Sequence, residues 1–161
     1  MKVLVINSGS SSLKADVLDA GTGARSMKLR AERLGSDEAS VRLNGEPLEV
    51  DASDHMSVLR VALPRMVTEG DGIAAVGHRV VHGGAVFSAP TRIDDDTEAA
   101  IEELVKLAPL HNPANLAGIR AARGLLPDLP HVAVFDTAFH NTLPRRAQAY
   151  ALPGALVERL G

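Results

Sequence analysis

The sequence predicts an α/β domain in three layers, a mixed sheet with flanking helices. Three observations predict it. Short apolar runs at residues 3–6, 73–76 and 132–135 each end in a polar loop, as buried strands do. Hairpin signals crowd the first 50 residues. Later on, strand-like runs alternate with helix-period stretches, the pattern that builds a parallel sheet.

The elements follow in order. Residues 3–6 run into Asn7-Ser8-Gly9-Ser10-Ser11-Ser12, and residues 15–18 resume the apolar pattern, so 2–18 reads as a hairpin. Residues 25–34 supply either a third strand or a short helix. Residues 41–50 alternate about Asn44-Gly45, the strongest short hairpin signal. Met56, Leu59, Leu63, Met66 and Val67 fall at helical spacing, with Asp54 or Ser53 as cap. Pro64 lies inside that helix and predicts a kink, because an interior proline removes a hydrogen bond and costs about 3 kcal/mol. Residues 73–76 read as a strand running into Gly77-His78-Arg79. Ile101, Leu104, Val105 and Ala108 mark a second helix, opened by Asp94-Asp95-Asp96, whose charges suit a helix N-terminus. Asn112-Pro113 reads as the N-cap and first-turn proline of a third helix. It presents Leu116, Ile119 and Leu126 and ends at Gly124 and Pro127. Residues 132–135 form the last strand, ending at Asp136.

Composition narrows the function. The 161 residues suit one domain, and with aromatics at 2% the core must be aliphatic. A net charge of -3 argues against a nucleic-acid partner, which asks for a basic face. The absence of cysteine excludes disulfides, thiolate zinc and a cysteine nucleophile. No run approaches a membrane span and the N-terminus lacks a signal-peptide pattern, so a cytoplasmic location without membrane contact is expected.

Three loops carry the candidate chemistry: 7–12, 78–84 and 136–140. If their strands are parallel, all three meet at one sheet edge, where ligands of open α/β sheets bind. In the first, Gly9, three hydroxyls, an amide and Lys14 either hold a polyanion such as a nucleotide's phosphates or make a polar hairpin turn. Arg79 is placed for bidentate contact with a carboxylate or phosphate, or is a solvated strand-end arginine. His78 and His82 are four apart on a strand with no third ligand, which does not make a zinc site. Gly83-Gly84 admits close backbone approach or a simple turn. Asp136 is a candidate base or ligand orienter, or a cap ahead of Thr137. His111 either lines the same cleft or is structural.

Four segments carry a resemblance: VINSGSSSLK at 5–14, GHRVVHGG at 77–84, LAPLHNPANLAGI at 107–119 and VAVFDTAFHNTLP at 132–144. In that order, over nearly the whole chain, they resemble the acetate kinase (acetokinase) family. The resemblance implies one lobe of the sugar kinase, Hsp70 and actin-like (ribonuclease H-like) fold. Residues 1–161 correspond to the N-terminal lobe, with the second lobe absent from this chain. The implied activity is reversible phosphoryl transfer between ATP and acetate, giving ADP and acetyl phosphate, with Mg²⁺ or Mn²⁺. Carried over residue by residue, Asn7 helps hold the metal, and Ser10, Ser12 and Lys14 contact phosphates. Arg79 binds the acetate carboxylate, Asp136 is the catalytic acid/base or orients Arg79, and Val81 and Leu110 wall the methyl group.

Departures qualify the resemblance. The family's nucleotide-base pocket, a further histidine and arginine, and the glutamate completing the metal site fall beyond Gly161. Ala85 stands where an acidic residue is usual. A half-site with marginal turnover is therefore expected, together with homo-oligomerisation or a second-lobe partner. The alternatives are a non-catalytic ligand- or partner-binding lobe, and a propionate or butyrate kinase relative.

Overall fold

A computed structural model describes residues 1–70, 72–149 and 151–160, without the side chains of Arg145, Gln148 and Leu160. Its elements are β1 (Lys2–Ser8), β2 (Ser12–Asp19), β3 (Arg25–Glu32), β4 (Ser40–Leu43), β5 (Glu46–Pro47), α1 (His55–Gly70), β6 (Ile73–Val80), β7 (Thr91–Arg92), α2 (Asp95–Glu103), α3 (Asn112–Leu125) and β8 (His131–Phe135), then short helices α4 (Arg145–Gln148) and α5 (Gly154–Leu160). Eight strands form one sheet in the order β5-β4-β3-β2-β1-β6-β8-β7. β1, β6 and β8 run parallel, and the other pairings are antiparallel.

Residues 25–32 resolve as strand. Met27, Leu29 and Ala31 alternate inward and pair with β2, so period-2 burial outweighs the helical propensity of the segment. Asn44 and Gly45 both take positive φ, 54° and 92°, as a tight two-residue hairpin demands. Asp54, not Ser53, caps α1 by accepting from Ser57 N at 2.7 Å. The helix then runs through Pro64 without interruption. Asp94 caps α2 through Thr97 N at 2.8 Å, and Asp95 instead pairs with Arg123 of α3.

Where three layers were expected, the long helices among the described residues cover one face of the sheet. α1 packs on β2 and β3, α3 packs on β1 and β6, and the two helices touch, so both stand on one face. Beneath them lie two adjoining apolar clusters, one around Leu4, Leu29, Leu59 and Leu63 and one around Val80, Ile101, Ile119 and Phe135. Strand alternation sends every second residue to the opposite face. There Lys14, Arg79 and Val134 reach solvent.

Strand β6 also extends further than expected. His78 and Arg79 belong to the strand and point to opposite faces. His78 is buried beside His131, with Nε2 and Nδ1 2.9 Å apart, and takes no part in the polar edge.

Candidate functional site

The parallel strands do bring the three loops to one edge. Asn7 of β1 pairs with Lys14 of β2, and Lys14 pairs with Arg30 of β3. Ile6 pairs with His78, which puts Arg79 level with Asn7 on the open face. Neighbouring strands are about 4.8 Å apart, so Arg30, Lys14, Asn7 and Arg79 make one polar row across four strands. Arg30 is held bidentately by Asp16 at 2.6 and 3.0 Å. A trough of about 350 Å³ opens along this row, lined by Val5, Asn7, Lys14, Asp16, Arg25, Arg30 and Arg79.

Asp136, directly after β8, reaches Arg79 from the next strand. Arg79 Nε donates to Oδ1 and Oδ2 at 3.0 and 3.1 Å, and Nη2 donates to Oδ2 at 2.6 Å. Nη1 donates to Asn7 Oδ1 at 3.2 Å. The guanidinium is thus clamped between two strands, and its hydrogen bond to Asp136 raises its already high pKa. Asp136 serves as this orienting partner and does not cap the turn that follows. Both side chains stay about half exposed, so a ligand can reach them.

The loop after β1 is a closed turn, with Gly9 N donating to Ser12 O at 2.8 Å. The φ of Gly9 is not positive, and its close neighbour is a side chain: a Cβ there would lie 2.7 Å from Ser12 Oγ, which would have to turn away. Ser10 is exposed and Ser12 half-buried, one on each side of the turn. His55, in the first turn of α1, reaches back with Nε2 2.7 Å from Gly9 O and 3.2 Å from Ser12 O.

Helix α3 ties the other two loops together. Asn112 does not cap the helix, because His111 holds the cap position. Its buried amide instead donates to His82 O at 3.1 Å and accepts from His82 N at 3.3 Å. Asn115 donates to Ser8 O at 2.6 Å and accepts from Val81 N at 3.0 Å. The β1–β6 pairing stops at Ile6 and His78, and the Asn115 amide bridges the two strands beyond it. α3 comes this close because of Gly118, where a Cβ would sit 2.0 Å from Ser8 Oγ. Gly83 packs on the Phe135 ring and donates to Thr137 Oγ1 at 3.0 Å, and Gly84 takes φ 58°. Val81 is half-buried, Leu110 is exposed, and His111 is exposed just ahead of α3.

Asn112, Asn115, His55 and Gly118 were not legible as site supports. The available signal was amide and imidazole side chains at helix positions that the periodicity turns inward. No group of three or more His, Cys, Asp or Glu side chains that could hold a metal ion occurs among the described residues. A divalent cation would find Asn7 Oδ1 here, with further ligands from phosphate and water, as Mg²⁺ commonly takes them. A separate recess of about 560 Å³ lies at the far end of the sheet around Arg92, Arg123 and His131, away from this chemistry.

Residues 2–161 match the model of the acetokinase family. The acetate kinase of Streptomyces avermitilis is 49% identical over 94% of this chain and 40% of its own length. Acetate kinase 1 of Neisseria meningitidis is 45% identical over 99% of this chain and 42% of its own. Among solved structures, a propionate kinase from Francisella tularensis superposes with a TM-score of 0.86 at 36% identity, covering 99% of this chain and 43% of that one. Porphyromonas gingivalis acetate kinase gives 0.85 at 39%, covering 98% and 43%. The chain spans about two fifths of the length of these relatives.

Proposed function

The chain belongs to the acetokinase family, and from that premise we propose that it forms one side of a site for reversible phosphoryl transfer between ATP and acetate, giving ADP and acetyl phosphate. The observation that carries this reading is the Arg79 guanidinium, clamped by Asp136 and Asn7 on the open sheet face beside Lys14.

An acetate oxygen attacks the terminal phosphorus, the bond to the bridging oxygen breaks, and ADP leaves; no covalent enzyme intermediate is needed. Such chemistry asks for positioning and charge neutralisation. In this reading Arg79 takes the acetate carboxylate and Asp136 keeps its fork aligned. Val81 and Leu110 flank the methyl group, and Ser10, Ser12 and Lys14 contact the phosphates. Mg²⁺ or Mn²⁺ would supply further charge neutralisation, with Asn7 as its protein ligand.

A 36% identical propionate kinase favours a second reading, a longer acyl group, which competition between acetate and propionate separates. Cytoplasmic residence and association with a second copy or second lobe belong to the same proposal. Exposed Val86, Leu110 and Phe139 support association, which sedimentation tests.

Amide and side-chain shift mapping tests the site. Acetate should perturb Arg79, Val81 and Asp136, and inorganic phosphate residues 7–14. Perturbations scattered elsewhere would overturn the assignment.

A further inference from the structure

We propose that His55 is a positioning residue that holds the Gly9 and Ser12 carbonyls away from the Ser10 and Ser11 N–H groups, and so lets the 9–12 loop hold a phosphate group. The inference rests on reading that loop as the phosphate contact, and it deepens that reading by naming what orients it.

A peptide loop offers carbonyls and N–H groups alike, and an anion is repelled by the first and bound by the second. Here the carbonyls from Ser8 to Ser12 are taken by the protein, Ser10 O excepted. Ser8 O accepts from Asn115 at 2.6 Å and Ser11 O accepts from Leu34 N at 2.9 Å. Gly9 O and Ser12 O both accept from His55 Nε2. Both partners of that nitrogen can only accept, so Nε2 carries the hydrogen and His55 is a shared donor. His55 is itself buried, in the first turn of α1, so the ring is held against a fixed helix.

The peptide bonds are trans, which sets each N–H opposite its own carbonyl. Drawing Gly9 O toward His55 therefore aims Ser10 N–H away from α1. Neither Ser10 N–H nor Ser11 N–H meets an acceptor among the described residues. Successive free N–H groups in a turn make an anion-binding concavity, and Lys14 adds a charge at its rim. Of the four engaged carbonyls, Gly9 O depends on His55 alone, and Ser12 O is shared between His55 and Gly9 N. Without it, the Gly9–Ser10 peptide is free to rotate and present its oxygen.

The test uses the ¹⁵N-labelled 161-residue chain and titrates inorganic phosphate and acetate separately. His55→Ala should weaken phosphate binding about tenfold, the loss of a shared hydrogen bond. It should also raise the mobility of the Ser10 and Ser11 amides, while the acetate response at Arg79 stays at the wild-type level. His55→Gln, whose amide can donate to the same carbonyls, should restore most of the phosphate affinity. A folded His55→Ala chain that binds phosphate like wild type overturns the proposal, as does a folded His55→Gln chain as weak as the alanine variant. If His55→Ala fails to fold, the glutamine variant decides alone by the same criterion. If the wild-type chain binds no phosphate at 7–14, the phosphate reading of the loop fails. Loop mobility then judges His55, and unchanged Ser10 and Ser11 order in His55→Ala refutes its positioning role.

Discussion

Asn115 of α3 and Ser8 of β1 meet at 2.6 Å, and the same amide accepts from Val81 N of the neighbouring segment at 3.0 Å. A helix side chain thereby takes over where the parallel ladder ends, and it sets the separation of the loops that carry Asn7 and Val81.

Gly118, one helical turn further on, permits that contact. Gly118→Ala would put a methyl carbon 2.0 Å from Ser8 Oγ, so α3 must move off the sheet. Overpacking of this kind costs about 1–3 kcal/mol. Urea unfolding should show that loss, and amide shifts should change at both Ser8 and Val81. Ser8→Ala is expected to be neutral or slightly stabilising, since Ser8 Oγ is buried with no hydrogen-bond partner among the described residues.

Arg79→Ala should abolish the acetate response and change the unfolding midpoint little, because a half-exposed ion pair contributes about 0–1 kcal/mol. Arg79→Lys should not rescue binding. A point charge cannot reach Asp136 and Asn7 together as the planar fork does. Isothermal titration with acetate checks both variants, and a lysine variant binding like wild type would refute the fork's role.

Lys14→Ala should weaken phosphate binding and leave the fold intact, as this exposed side chain has no ion pair among the described residues. Gly9→Ala should act on the same ligand by a different route. Its new methyl would meet Ser12 Oγ at 2.7 Å and turn that hydroxyl away, with little effect on acetate. Phosphate titration of the two single variants and the double variant reads both effects.

The buried pair His78 and His131 makes stability depend on pH. Burial lowers the His78 pKa from 6.5 to about 3 and lowers that of His131 as well. The unfolded chain therefore takes up protons first. The stability of the neutral pair is fully present above pH 6.5 and is lost as pH falls from there toward 3. For His78 alone the loss at pH 5 is about 2 kcal/mol. Unfolding free energies of wild type and His78→Gln at pH 7 and pH 5 check this. The variant should lose markedly less on acidification, and equal losses would count against the assignment.

Much of the architecture was legible because its causes are local. Asn44-Gly45 needs only its own positive φ values, and Asp94 needs only the Thr97 N–H three residues on. Arg79 and Asp136 were readable as sharing one sheet edge because each follows an apolar strand run; their pairing was implied only by the family resemblance, and the parallel arrangement of β6 and β8 makes the two strand ends neighbours. Residues 25–32 were ambiguous for the converse reason: their period-2 burial exists only against β2 and α1.

By itself, then, the chain determined its strand ends, turns, caps and the residue types that gather at one edge, since backbone sterics and short-range hydrogen bonds act within a few residues. Only the tertiary structure decided which face stays open, that His78 points away from the site while Arg79 points into it, and that Asn112, Asn115 and His55 spend their polar groups on loops 30 to 107 residues distant. Those outcomes turn on which buried donor meets which buried acceptor, and the helices must be packed on the sheet before either loses its water.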